Sequence, residues 1–95
     1  PFIRLIAIII SSKERSLSLN GAREIKMKLN QIKDIEILGP IDSPLLKIKN
    51  NFRSRLLIRF SNQKLMQSRI SNLLNNLKIS SKIKLTVDVD PVNFA

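Results

Sequence analysis

The spacing of hydrophobic residues changes along the chain, and this change constrains the fold more than any other feature of the sequence. In four segments apolar side chains alternate with polar ones or form short β-branched runs, which is typical of strands. In two segments they recur at steps of three and four residues, which is typical of helices. The predicted strands cover residues 2–10, 35–38, 52–60 and 82–90, and the predicted helices cover about 16–31 and 62–77.

The resulting order is β-α-β-β-α-β. Because crossover connections are right-handed, the simplest arrangement is an α+β, ferredoxin-like fold: a four-stranded antiparallel sheet with both helices on one face. Gly39-Pro40 is expected to end the second strand, since proline cannot continue a hydrogen-bonded ladder, and residues 41–51 are expected to form a loop. Residues 1–95 are predicted to be one domain of a longer protein, because Pro1 is not an initiator methionine.

The composition excludes several classes of protein. The chain has no cysteine and no histidine, which excludes a zinc ribbon, a disulfide framework and the usual catalytic triad. Its longest apolar run, from Leu5 to Ile10, is much shorter than the ~20 residues that cross a bilayer. Asp88 and Asp90 could form an acid–base pair, but no other catalytic group accompanies them. We therefore expect no catalytic residue, no metal site and no cofactor in this chain.

The charge points to a polyanionic partner. Seventeen Lys and Arg residues against seven Asp and Glu residues give a formal net charge of +10. The alternative is that an AT-biased genome, which favours Ile, Lys and Asn codons, produced the excess without selection for binding. Strand alternation predicts that cations gather on the sheet face without helices, although cross-strand pairs with Asp88 could also explain them. The predicted phosphate-binding residues are Arg53, Arg55, Arg59, Lys82 and Lys84, with Arg4 if it shares their face, and Lys47 and Lys49 of the loop.

The first strand raises a second possibility. If Arg4 points to the basic face, Ile6, Ile8 and Ile10 point there too, and an exposed stripe of isoleucines is unusual. Either this stripe docks on another part of a larger protein, or the strand has the opposite orientation. A docking module with incidental charge is therefore the main alternative to a domain that binds a polyanion.

Base stacking, the mode of RNA-recognition domains with this topology, has weak support. The aromatic residues are Phe2, Phe52, Phe60 and Phe94, and two of them are predicted to point to the core. A ribosomal-type RNA-binding protein is a third possibility.

Three short motifs resemble one family. They are Ile37-Leu38-Gly39-Pro40 with Pro44, Phe52-Arg53 followed by Leu56-Leu57-Ile58 and Ser61, and Val87-Asp88-Val89-Asp90-Pro91. Their order and spacing resemble the C-terminal domain of the primosomal protein N′ (PriA) family of replication-restart DNA helicases. The resemblance covers essentially the whole chain.

The resemblance implies a bacterial, cytoplasmic and nucleoid-associated parent: an ATP-dependent 3′-5′ DNA helicase that uses ATP and magnesium and carries zinc. It also implies a fold like that of a small-subunit ribosomal protein. For this domain it implies recognition of branched or forked DNA, contact with the helicase core and other primosome proteins, and no contact with membranes. It further implies a contact between the start of the second helix, at Asn62 and Lys64, and the tail of the single-stranded DNA-binding protein.

Two departures from the family pattern affect these expectations. The family has a second aromatic residue and a glutamine where this chain has Ser54 and Arg55, which weakens aromatic contacts and favours phosphate contact. The family also tends to have a basic residue where this chain has Asn62. This departure reduces the support for a contact between this helix start and the tail of the single-stranded DNA-binding protein.

Overall fold

The strands pair in the order β2-β3-β1-β4, and every neighbouring pair is antiparallel. The computed structural model describes residues 3–48 and 51–90. Its elements are β1 (Ile3–Ser12), α1 (Arg15–Leu29), β2 (Ile35–Ile48), β3 (Asn51–Ser61), α2 (Lys64–Asn75) and β4 (Ile83–Val89). This order and pairing confirm the predicted ferredoxin-like α+β fold. Within the described ranges, neither helix is long and apolar enough to span a membrane.

The core lies between one face of the sheet and the two helices. Alternate residues of β1 and β3 form the sheet side of the core, and residues of α1 and α2 form its helix side. Ile8, Leu56 and Ile58 have no exposed surface, and neither has Ile70 of α2. The buried hydrophobic residues of this core are Ile6, Ile8, Ile10, Ala22, Ile25, Leu29, Leu56, Ile58, Phe60, Met66 and Ile70.

The orientation assumed for β1 is therefore wrong. Ile6, Ile8 and Ile10 face the helices rather than the uncovered side, so the predicted docking stripe does not exist. Both sets of alternate residues in β1 are apolar, and the hydrophobic pattern alone does not choose between them. The register decides: Ile8 lies opposite Leu56 of β3, whose alternation is unambiguous, and cross-strand partners share a face.

The second strand is longer than predicted. β2 continues through Gly39-Pro40, joined by a cis peptide bond, and on to Ile48, so the predicted loop is mostly strand. Proline is tolerated here because β2 is an edge strand and its register with β3 shifts between Leu38 and Ile41. The shift reverses the alternation, so that Ile41 pairs with Arg55.

Glycine is required at position 39. Its φ of +103° is rarely adopted by residues with side chains, and a Cβ atom would lie 2.6 Å from the Arg55 carbonyl oxygen of β3. The Lys26 ammonium of α1 donates a hydrogen bond of 2.5 Å to the Gly39 carbonyl. The Ile-Leu-Gly-Pro motif thus has a structural role at the place where the register of β2 with β3 shifts.

Candidate nucleic-acid interface

The face of the sheet that the helices leave uncovered is called here the open face. Each strand contributes its alternate residues to it, and these residues form rows across the sheet through the pairing register. The open face consists of Leu5, Ala7, Ile9 and Ser11 of β1, Glu36, Leu38 and Ile41 of β2, Arg53, Arg55, Leu57 and Arg59 of β3, and Lys84, Thr86 and Asp88 of β4.

Cations gather at the end of the sheet where β1 finishes and β3 and β4 begin. Ser11 lies between Arg53 on one side and Lys84 on the other, so the Cα atoms of these two cations are roughly 10 Å apart. Arg55 lies about 7 Å further along β3. Such spacing lets the side chains contact several phosphates at once. We call this group the basic end; it consists of Lys13, Arg53, Arg55, Lys82 and Lys84.

Acidic residues lie mostly elsewhere. Four of the seven acids in the chain occupy the opposite half of the molecule. Arg59 lies in that half too, with Glu36 directly across from it on β2. The other three acids are Glu14 and Asp42, in the half that contains the basic end, and Glu24, which is exposed on α1. Positive charge is therefore concentrated at one end instead of covering the whole open face. The four acids of the opposite half are Asp34, Glu36, Asp88 and Asp90.

Arg4 is not on the open face, so the predicted position of this residue is wrong. It points to the helix side of the sheet, where its Nη2 forms an ion pair of 2.6 Å with Asp90 Oδ2. Its Nη1 donates a hydrogen bond of 3.0 Å to Gln67 Oε1 of α2. The Arg4 guanidinium thus joins β1, α2 and the end of β4, and this role leaves it poorly placed to contact phosphates.

Asp90 is held as an anion at this junction. Its Oδ1 accepts a hydrogen bond of 3.2 Å from the Leu5 N–H. The hydrogen bonds from Arg4 and from Leu5 lower the pKa of the Asp90 carboxyl from its ordinary value. Its φ of +51° ends the strand alternation, whereas Asp88 belongs to the open face. The two carboxylates therefore do not form the acid–base pair considered from the sequence.

Position 54 belongs to the core. Ser54 is 1% exposed and faces α1. Its Oγ lies 2.9 Å from Ser18 Oγ, which lies 2.8 Å from the Ile10 carbonyl oxygen. A hydroxyl has a single proton, so both bonds form when Ser18 donates to Ile10 and Ser54 donates to Ser18. An aromatic ring at this position would pack against the helices, and Ser54 therefore has no bearing on base stacking.

The described part of the open face carries no aromatic side chain. Phe60 is 2% exposed in the core, and Phe52 follows the same alternation on β3. Phe2 and Phe94 lie outside the described residues. The site is therefore suited to phosphate contact and not to stacking of bases.

The remaining predicted site residues are dispersed. Lys47 belongs to β2, with its Cα opposite Phe52, and Lys49 lies outside the described residues. Asn62 is exposed between β3 and α2, and Lys64 is the exposed first residue of α2, where it lines a shallow depression about 430 Å³ in volume. Both residues follow the last residue of β3, whereas the basic end lies at the start of that strand.

A cleft of about 440 Å³ opens at the basic end, between the β1–α1 loop and the start of β4. Sequence reasoning identified Lys82 and Lys84 but missed Lys13, whose position directly after a strand end was the available signal. The cleft is lined by Ser11, Ser12, Lys13, Glu14, Asn51, Ser81, Lys82, Ile83 and Lys84.

Zinc, which the resemblance implied for a parent protein, does not fit the residues of this chain. Cysteine and histidine, its usual ligands, do not occur in the sequence. Among the described residues, no cluster of three or more acidic side chains could replace them.

Comparison with known proteins identifies the family. The model of the primosomal protein N C-terminal domain matches residues 1–92. The chain is 29% identical to the replication restart protein PriA of Rickettsia conorii, over 99% of this chain and 14% of that protein. It is 32% identical to PriA of Chlamydia trachomatis, over 97% of this chain and 12% of that protein. The chain thus spans only about one-seventh of the length of such relatives.

A solved structure supports the fold alone. The de novo designed protein Foldit4 superimposes with a TM-score of 0.68 at 11% identity, over 96% of this chain and 99% of that one. At this identity the likeness carries no functional meaning. Membership rests instead on the family match, which extends over nearly the whole sequence. The chain belongs to the family of primosomal protein N C-terminal domains.

Proposed function

We propose that this chain is a non-catalytic DNA-binding domain of a replication-restart helicase and that its basic end binds backbone phosphates of branched DNA. The observation that carries the proposal is the concentration of Arg53, Arg55, Lys82 and Lys84 at one end of a molecule whose acids lie mostly at the other. Relatives named replication restart proteins supply the biological setting. Contacts of this kind position a protein without reading the base sequence.

The arginines of β3 are well placed for this role. Arg55 has Ile9 and Ile41 as its cross-strand neighbours, and apolar neighbours can pack against the methylene stem of an arginine. Arg53 has the small Ser11 beside it, which leaves room for a phosphate. A guanidinium also matches the geometry of a phosphate better than an ammonium does.

The other residues predicted to contact phosphates are not equally well supported. Lys47 pairs with Phe52, next to Arg53 of the basic end, and we retain it as a phosphate contact. Lys49, two residues further along the sequence, is retained as well. Arg59 is a weaker candidate because Glu36 lies directly opposite it. Arg4 is left out, since Asp90 and Gln67 engage it on the helix side.

Fluorescence anisotropy of the 95-residue chain, with a labelled fork and a matched linear duplex at several salt concentrations, tests the proposal. Each phosphate contact adds about −0.9 to the slope of log K against log salt. The Arg53→Ala/Arg55→Ala variant should therefore flatten the slope on duplex by about 1.8 and weaken binding to every base sequence alike.

A matched control has the same change in net charge. Arg23 and Arg69 are exposed on α1 and α2, away from the open face, and Arg23→Ala/Arg69→Ala should change the slope far less. Equal effects of the two pairs would mean that only total charge matters and would refute the assignment of the basic end. Tighter binding of the fork than of the duplex supports recognition of branches.

A second function is favoured by the centre of the open face, which is apolar. Leu38 is 45% exposed and Ile41 is 55% exposed, with the half-buried Leu57 beside Leu38. Exposed apolar surface of this kind marks docking sites. On this alternative the chain packs on the helicase core and binds DNA negligibly at physiological salt, and Leu38→Glu weakens association with the remainder of the helicase.

The remaining expectations concern the parent protein. ATP, magnesium and zinc would belong to other parts of it, and the whole would act in the bacterial cytoplasm at the nucleoid. The start of α2, at Asn62 and Lys64, would be the contact for the tail of the single-stranded DNA-binding protein, and other primosome proteins would assemble on the same parent.

A further inference from the structure

The cleft at the basic end is concave, whereas the open face is a flat surface. Its volume of about 440 Å³ falls within the range of about 300–1,000 Å³ that is typical of sites for small ligands. Lys13, Lys82 and Lys84 line it together with Glu14, so its formal charge is 3 − 1 = +2. A ligand with two negative charges would neutralise it.

Hydroxyl groups add further donors to the cleft. Ser12 is 3% exposed, and its Oγ accepts a hydrogen bond of 3.2 Å from the Glu14 N–H. Because Ser12 Oγ is the acceptor in this bond, the bond does not use the hydroxyl proton, which can be donated to an oxygen atom in the cleft. Ser11 and Ser81 place two more hydroxyls in the lining. Ammonium groups combined with neutral hydroxyl donors suit the oxygen atoms of a phosphate.

The charge distinguishes two kinds of phosphate. A phosphodiester inside a strand carries one negative charge and continues on both sides, so it cannot enter a cleft end-on. A phosphate monoester carries about −1.5 to −2 at pH 7 and projects from the group that bears it. The charge of +2 and the concave shape both favour the monoester.

We propose that this cleft binds a phosphate monoester, as found at the end of a DNA strand. The inference rests on the DNA-binding function proposed for the basic end. Lys84 connects the two sites because it belongs to both the open face and the cleft lining. A strand that crosses Arg53 and Lys84 on the open face reaches the cleft with its terminal phosphate.

Anisotropy with internally labelled single strands tests this directly, using 5′-phosphate, 3′-phosphate and hydroxyl-ended versions of one sequence and the 95-residue chain. At least one phosphorylated end should bind about tenfold more tightly than the hydroxyl-ended strand, equivalent to about 1.4 kcal/mol. Lys13→Ala/Lys82→Ala should abolish this preference. The control Lys28→Ala/Lys33→Ala, with the same loss of charge in the opposite half, should retain it. Equal affinity for all three ends would overturn the inference.

Titration with inorganic phosphate and with a nucleoside 5′-monophosphate, followed by backbone amide NMR, separates the possible sources of the monoester. Amide shifts are expected at residues 11–14 and 81–84. A phosphorylated strand that binds much more tightly than the free monophosphate identifies a strand end, whereas equal affinities identify a free monoester as the ligand. If the cleft amides do not shift and no preference for phosphorylated ends is measured, the proposed site is refuted.

The two proposals fail differently. If the Arg53→Ala/Arg55→Ala variant loses affinity for hydroxyl-ended strands but no end preference exists, only the cleft proposal is wrong. If hydroxyl-ended strands do not bind but a phosphorylated strand binds and shifts the cleft amides, only the backbone-phosphate binding proposed for the basic end is wrong.

Discussion

Replacing Gly39 with alanine should severely destabilise the fold, although it adds only one methyl group. Gly39 lies where the register of the edge strand β2 shifts, and its φ is +103°. Alanine in such a backbone conformation costs about 1–3 kcal/mol. The new Cβ atom would also lie 2.6 Å from the Arg55 carbonyl oxygen, a backbone atom of the central strand β3. Relieving that overlap requires a strand to move, which costs about 1–3 kcal/mol more.

The expected loss is therefore about 2–6 kcal/mol, a large part of the 5–15 kcal/mol that stabilises a typical domain. Equilibrium unfolding in urea, followed by circular dichroism, measures it. With a slope of about 1.5 kcal/mol per molar, a loss of 3 kcal/mol lowers the midpoint by about 2 M.

Gly21→Ala is the matched control, since the chain has only two glycines. In α1 alanine gains about 0.5–1 kcal/mol of helix propensity. Its Cβ would lie 2.9 Å from the Ile83 Cδ1 atom, the flexible end of a side chain, which can move at a cost of similar size. The variant should stay within about 1 kcal/mol of the parent chain. Equal midpoints for the two alanine variants would refute this reasoning about Gly39.

Two further predictions concern the buried polar contacts. In urea unfolding, Ser54→Ala should lower the free energy of unfolding by about 1 kcal/mol and Ser18→Ala by about 2 kcal/mol. The double variant should lose no more than Ser18→Ala, because both serines belong to one hydrogen-bond network. Additive losses would contradict that network. Because Arg4 lowers the pKa of Asp90, their contact stabilises the fold above about pH 4, the pKa range of an unfolded aspartate, and is lost as the pH falls through the lower folded-state pKa. Thermal unfolding of Arg4→Met should therefore depend less steeply on pH below about 4 than that of the parent chain, and parallel profiles would show that Arg4 does not cause the shift.

The spacing of hydrophobic residues predicted the helices, the strands and their topology. It could do so because each element must bury one face, and this leaves a pattern within the element's own sequence. The clean alternation of Arg53, Arg55 and Arg59 placed them on one face of β3, and the structure has the same arrangement. Proline at position 40 misled the prediction of β2, since whether a strand tolerates proline depends on its place at the edge of the sheet.

The sequence by itself determined the order of strands and helices, the alternation of β3, the positive charge and the lack of zinc ligands. Only the tertiary structure decided which side of β1 faces the helices, because both sides are apolar and only pairing with β3 distinguishes them. That choice moved Arg4 into its contact with Asp90 and placed Leu5 and Ile9 on the open face. The cleft likewise depends on tertiary structure, because Lys13 and Lys82 are far apart in the chain and meet only when β1 and β4 pair. Local patterns report which residues must be buried, whereas a binding site depends on residues that long-range pairing brings together.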